Sequence, residues 1–195
     1  MAMTRRDCLI DTALTLFNQG GYHATGIDQI LAECGVAKMT LYKHFRSKDD
    51  LILAVLQRRD ERWRQWFQGA VERRAATPRA RLLAVFEALE EWFAQPDFRG
   101  CLFLGAAAEF PDPQDPIHAA AAAHHRHVLA YLRTLAAAAG ARHAARLARE
   151  LMLLVEGAIA VTQVNGPVGA AKQAHRAAET LIAAALGPGF DSIET

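Results

Sequence analysis

Between Lys38 and Lys48 the chain places Lys38, Lys43, Arg46 and Lys48 with no acid among them, although the whole protein carries a net charge of only +1. Interleaved with these bases are Met39, Thr40, Leu41, Tyr42, His44 and Phe45. Lysine neutralises phosphate, threonine and tyrosine hydroxyls donate to phosphate oxygens, and a methionine can meet a thymine methyl, so the outward members of such a segment suit duplex DNA. Leu41 and Phe45, four apart, would form the inward face of a short helix. A solvated charged face is the competing reading of the same run.

Other residues capable of chemistry are less organised. His118, His124, His125 and His127 share one alanine-rich segment, and His124 and His127 fall on one helix face, but no Glu-x-x-His pattern accompanies them and no metal site is expected. Cys8, Cys34 and Cys101 are an odd set at unrelated spacings, without a metal pattern or a disulfide framework, and reduced thiols in the cytoplasm are expected. No nucleophile stands beside an evident base and no glycine-rich phosphate loop is present, so neither an enzyme nor a cofactor is expected. Glu109 and Glu156 lie in apolar surroundings, where a lone carboxylate is expensive. Each needs an internal arginine or backbone partner, or else serves as the polar anchor of a ligand.

The elements that must position these groups read as helical throughout. A chain that is 52% hydrophobic and 22% charged can bury a core, and its alanine richness and lack of apolar alternation argue for an all-α fold of about nine helices. Ile10, Ala13, Leu14 and Phe17 mark a first helix over about 4–18, stopped by Gly20-Gly21. Thr25-Gly-Ile-Asp28 reads as a capping box opening a second helix, in which the threonine oxygen takes an orphan N–H and Gly35 ends the element. Ser47-Lys-Asp-Asp50 reads as another capping box, opening a long fourth helix to about residue 74. Thr77-Pro78 caps a fifth, residues 100–110 form a short buried helix, and Asp115-Pro116 restarts the chain to about 139. Residues 142–164 and 167–186 make a final hairpin around Asn165-Gly166. The acids at Asp7 and Asp11 interrupt any signal-peptide core, and Glu156 interrupts the most apolar run, so no membrane partner is expected.

Two short helices joined at a glycine, the second carrying basic and hydroxyl residues, match the helix-turn-helix used to enter the major groove. On Phe17, Gly21, Thr25-Gly-Ile-Asp-Gln-Ile30, Cys34-Gly-Val-Ala37, Thr40-Leu-Tyr42, His44-Phe45 and Ser47-Lys-Asp-Asp-Leu51, the chain resembles the TetR family of transcriptional regulators. The resemblance implies a helix-turn-helix DNA-binding domain over 1–50 and a helical effector-binding and dimerisation domain over 51–195. It implies DNA contacts at Thr25, Gly26, Lys38, Met39, Thr40, Tyr42, Lys43, His44 and Lys48, with Gly26 standing where the family often has a hydroxyl residue. It also implies a pocket for an apolar or aromatic effector, with Trp63, Phe67, Phe86, Phe93, Phe103, His124, Val128 and Glu156 as candidate lining. A two-fold dimer is implied as well, for which Leu147, Leu151, Leu154, Ala158, Val161, Ala174, Ala178 and Leu181 supply apolar, small-residue faces. The function expected is a ligand-released repressor on a palindromic operator. An activator, a nucleoid-type binder, and an α-helical enzyme or carrier that keeps the motif only as structure are the alternatives.

Overall fold

The computed structural model describes residues 4–187, and residues 1–3 and 188–195, the outer ends of the two expected domains, lie outside it. Among the described residues every regular element is an α-helix, and there are nine: α1 (Arg5–Gly20), α2 (Ile27–Cys34), α3 (Lys38–His44), α4 (Lys48–Arg74), α5 (Pro78–Phe93), α6 (Leu102–Glu109), α7 (Pro116–Ala138), α8 (Ala144–Asn165) and α9 (Ala170–Leu186). None is long and apolar enough to cross a membrane.

Local chemistry accounts for most boundaries. The Thr4 hydroxyl accepts the Asp7 N–H at 3.1 Å to open α1. Gly35, at φ 67° and ψ 34°, ends α2 in the left-handed conformation that glycine adopts without a Cβ penalty. At the start of α4 the Ser47 hydroxyl accepts the Asp50 N–H at 3.1 Å, while the Asp50 carboxylate accepts the Arg46 N–H at 3.0 Å. Thr77 caps α5 through the Ala80 N–H, with Pro78 in the first turn, where its missing donor costs nothing.

The described chain packs as two compact units, one of residues up to 63 with 101–124, the other of 64–100 with 125 onwards. These are not the units of a cut at residue 50, because α6 and the start of α7 pack with the three N-terminal helices. The first unit buries Leu9, Ile10, Ala13 and Phe17 of α1 against Ile30, Leu31, Leu41, Phe45, Leu51 and Val55. Arg58 of α4 pairs with Asp7 and Asp11 of α1, and Arg62 adds a second contact to Asp11 at 3.0 Å. In the second unit α8 and α9 form an antiparallel hairpin, the Arg142 N–H meeting the Ala185 carbonyl at 3.4 Å. The same unit packs α5 on α9, with a Lys172–Glu90 ion pair at 3.0 Å.

The cysteines depart from expectation. Cys8 and Cys34 are bonded to each other with Cα atoms 6.1 Å apart, while Cys101 stays a buried thiol. The turn after α1 folds the last residue of α2 back beside the second turn of α1, a proximity that a separation of 26 residues does not announce.

Hydrogen bonds from the Thr4 hydroxyl and from Arg58 hold the Asp7 carboxyl at about 2, below its ordinary 3.8. A depressed folded-state value stabilises fully above the unfolded value and is lost as pH falls through the folded one. Wild type should therefore exceed Asp7→Asn in denaturant midpoint by a constant margin above about pH 5, and that margin should vanish between about pH 4 and pH 2. Urea titrations of both proteins across that range check it. A margin unchanged at the acid end contradicts the assignment.

Candidate nucleic-acid interface

The helix-turn-helix is assembled as its residue types require, with one change at its entrance. Thr25 is not the cap of α2. Its side chain is buried and its hydroxyl donates to the carbonyls of Gly21 at 2.7 Å and Leu16 at 3.3 Å, tying the turn back onto α1. Gly26 takes the cap position without a side-chain hydrogen bond, and a Cβ there would meet nothing within 4 Å. The first N–H groups of α2 therefore have no side-chain cap, and at a helix N-terminus such groups favour an anion such as phosphate. Thr25, expected as a DNA contact, turns its hydroxyl inward onto the carbonyls of the turn and of the last turn of α1.

On α3 the inward and outward faces separate as the spacing requires. Leu41 and the following Phe45 are buried, whereas Met39 is 70% and Tyr42 49% exposed, an unusual display of large side chains on a free surface. Lys43 and His44 are exposed beside them and Thr40 is half-buried. Lys38 lies 3.7 Å from Asp28 of α2, both in solvent, where such a pair is weak and screened by salt. The half-buried Lys48 ammonium donates to the His23 carbonyl at 3.4 Å, and the Arg6 guanidinium sits 5.3 Å from the centre of the Phe45 ring. Gly26 and the outward face of α3 thus occupy consecutive elements of one motif, carrying cationic, hydroxyl and apolar groups together.

The α1–α2 turn is held from a distance in sequence. The Glu109 carboxylate, at the end of α6, accepts the Tyr22 N–H at 2.8 Å and the His23 N–H at 2.6 Å. The His23 Nε2 donates to the Glu109 carbonyl at 2.9 Å, its ring lying 4.8 Å from that of Phe110. Tyr22 is buried against Phe17 and Phe110 and donates its hydroxyl to the Leu102 carbonyl at 3.0 Å. Sequence reasoning missed Tyr22 and His23. The signal available was the need of Glu109 for a partner, and of the alternatives weighed the backbone partner is the one present.

The residues expected to line an effector pocket fall into separate groups. Within the first unit, His124 stacks on Phe103 with ring centres 3.8 Å apart, meets the edge of Trp63 at 5.3 Å, and donates from Nδ1 to Asp60 at 2.7 Å. Within the second, Phe67 packs edge-on to Tyr131, Phe86 to His175, and Phe93 tilts against Trp92 and Phe98. Val128 is buried. Glu156 faces His125 at 3.5 Å, and burial raises its carboxyl against the pull of that histidine. A cleft of about 280 Å³ is lined by Arg142, His143, Arg146, Leu147, Glu150, Leu181, Ala184 and Ala185, so none of the expected pocket residues borders it.

The expected interface set also divides. Leu147, Leu151, Ala158, Ala174 and Ala178 are buried within the single chain, where they form the packing of α8 and α9 and are not free for a partner. Leu154 and Leu181 are half-buried, and Val161 is exposed. The apolar side chains that α8 leaves in solvent are Leu153, Val161 and Val164, at 75%, 40% and 80% exposure, followed by Val168 at 52%.

A glycine-turned helix-turn-helix with a polar, cationic recognition face, joined to a helical remainder, defines a DNA-binding transcriptional regulator. Residues 9–55 match the model of the bacterial regulatory proteins of the tetR family, and residues 78–178 match the tetracyclin repressor-like C-terminal domain. The chain belongs to the TetR family. Its fold superposes with a TM-score of 0.87 on a TetR-family transcriptional regulator from Streptomyces coelicolor, at 34% identity over 94% of this chain and 96% of that one. It is 41% identical over 110 residues to the HTH-type transcriptional activator FasR of Mycolicibacterium smegmatis, a match spanning 56% of this chain and 49% of that protein. It is 24% identical over 178 residues to the HTH-type transcriptional regulator YjdC of Escherichia coli, covering 91% and 93% of the two chains.

Gly21 has φ 83°, and a Cβ built there would lie 2.8 Å from Glu109 Oε1. Gly21→Ala should cost about 1–3 kcal/mol through backbone strain alone and displace the carboxylate as well. Glu109→Ala, which leaves the Tyr22 N–H without its acceptor, should cost about 1–3 kcal/mol. Chemical denaturation of the full chain measures both. Two variants as stable as wild type would show that the turn is not held by this contact.

Proposed function

We propose that the protein is a ligand-responsive repressor that binds a palindromic operator as a homodimer and is released by a small apolar or aromatic effector. The observation that carries the DNA-binding part is the exposed α3 face of Met39, Tyr42, Lys43 and His44 beside the uncapped N-terminus of α2. In this reading the α2 N–H groups, Tyr42 and Lys48 touch phosphate and fix register, while Met39, Thr40 and Lys43 meet base edges. Thr25 acts only by holding the turn. The protein works in the cytoplasm, where the chromosome of a bacterial regulator lies, and catalyses no reaction.

Dimerisation is assigned to the solvent face of α8, because Leu153, Val161 and Val164 form an apolar stripe that a second copy would cover. Effector action is assigned to α6, which carries Phe103 in its aromatic stack and Glu109 on the α1–α2 turn. A ligand that shifts Phe103 then pulls on the turn from which α2 starts. By linkage, an effector that releases DNA binds the DNA-free protein more tightly by the same factor. A second reading, an activator, is favoured by the likeness to FasR over 110 residues. Transcription from a promoter bearing the selected site, with and without the protein, separates the two.

Selection of bound fragments from random duplex DNA is the direct test, and recovery of no two-fold site overturns the reading. On the recovered site Tyr42→Phe should weaken cognate and scrambled duplexes alike, whereas Lys43→Ala should cost about 1–3 kcal/mol and also relax base preference. Binding curves at fixed salt distinguish these patterns.

The doubly substituted Leu153→Arg, Val164→Arg protein should sediment as a monomer that retains its helical content and loses operator affinity. Ala158→Arg, by contrast, should unfold the α8–α9 packing itself. A double variant that remains dimeric removes this stripe from the interface.

A further inference from the structure

We propose that Cys8 and Cys34 are a reversible oxidation site within the DNA-binding head, responsive to hydroperoxides, and that the bond between them tightens the helix-turn-helix for DNA. The consequence for DNA rests on the proposed function. The site itself does not. Cys8 lies in the second turn of α1, and Cys34 is the last residue of α2, immediately before the Gly35 turn that leads into α3. Both side chains are half-buried, within reach of a small oxidant, whereas the third cysteine, Cys101, is buried and takes no part in the disulfide. On reduction the two sulfurs must part to van der Waals distance, and the Cys34 carbonyl, 3.6 Å from the Cys8 sulfur in the bonded form, is an acceptor at hand for its S–H.

The placement of the bond gives it leverage. Asp7 and Asp11, on either side of Cys8, are both held by Arg58 of α4, so this end of α1 is anchored. The bond extends that anchor to the C-terminal end of α2. Without it the end of α2 is retained by Ile30 and Leu31 in the core and by the Gly35 and Val36 N–H bonds to Leu31 and Ala32 carbonyls. Cross-linking restricts the unfolded and partly opened states of the loop it closes, which favours the native head. A head already in its binding geometry loses less freedom on docking, so the bonded form should bind more tightly.

The chemistry balances with a hydroperoxide as the oxidant. One sulfur attacks the peroxide O–O bond, forming a sulfenic acid as the oxygen–oxygen bond breaks and an alcohol or water departs with a proton. The second sulfur attacks the sulfenic sulfur, forming the S–S bond and releasing water. Overall two thiols lose two protons and two electrons, which the peroxide takes up to give an alcohol or water plus one further water. A dithiol reductant returns the pair to thiols by exchange.

The test uses the full chain, reduced with dithiothreitol, freed of reductant and exposed to hydrogen peroxide. Two thiols should become resistant to alkylation together, a peptide joining Cys8 to Cys34 should appear by mass spectrometry, and dithiothreitol should reverse both. Cys8→Ser and Cys34→Ser should instead accumulate a sulfenic acid trapped by dimedone. The oxidised wild type should melt roughly 5–10 °C above the reduced form. At fixed salt it should bind a selected duplex about three- to tenfold more tightly, and both serine variants should be indifferent to redox state. Thiols that stay alkylatable after peroxide, or a bonded form with unchanged melting and unchanged duplex affinity, overturn the proposal. If no duplex is bound in either state, the regulator reading fails, and thiol pairing with the melting shift still decides whether the site exists.

Discussion

The position of the helix-turn-helix depends on one carboxylate and two main-chain N–H groups. After α1 the chain turns at Gly21, and the Tyr22 and His23 N–H groups that follow belong to no helix. The N–H of the buried Tyr22 must find an acceptor, and a carboxylate with two oxygens can serve the exposed His23 N–H at the same time. Glu109 does so from 87 residues away. Tyr22, buried on both sides of its ring and bonded through its hydroxyl to Leu102, prevents the turn from rotating about that contact. Thr25 then pins the same turn to α1, α2 starts two residues later, and Gly35 and α3 inherit their placement from it.

Charge balance in the head follows from the same packing. Over residues 1–50 acids equal bases in number, which on composition alone weakens a case for DNA binding. Asp7 and Asp11, however, are occupied by Arg58 and Arg62, and Asp50 caps the start of α4 through the Arg46 N–H. Lys43 and His44 remain outward on α3. Arrangement, rather than net charge, makes one side of the domain attractive to phosphate.

What could be read in the sequence was what local chemistry decides. Ser47, Thr77-Pro78 and Gly35 mark helix ends because a hydroxyl, a ring and a missing Cβ act within a few residues of themselves, and the structure has those ends. Thr25 misled because a hydroxyl can donate to carbonyls as readily as it accepts an N–H, and nothing local decides between them. The cysteine bond and the Glu109 contact depend on elements far apart in the chain. On α8 the difficulty was different: Leu147, Leu151 and Val155 form one apolar row while Leu153, Val161 and Val164 form another. A helix apolar on two sides does not say which side its own chain covers.

The grip of α6 on the first turn also bears on how such regulators could be recombined. Residues up to 63 form one compact unit with residues 101–124, so the unit in which α1, α2 and α3 pack is discontinuous in the chain. A hybrid made by splicing in a foreign N-terminal segment up to residue 50 would bring a turn whose N–H groups face whatever side chain the host has at position 109. Where that residue is not an acidic one of the same reach, or where position 21 carries a Cβ, the transplanted turn and its new neighbour do not match. On the proposed function, an exchange of DNA specificity therefore has to carry α6 along with the head, or confine itself to the outward residues of α3.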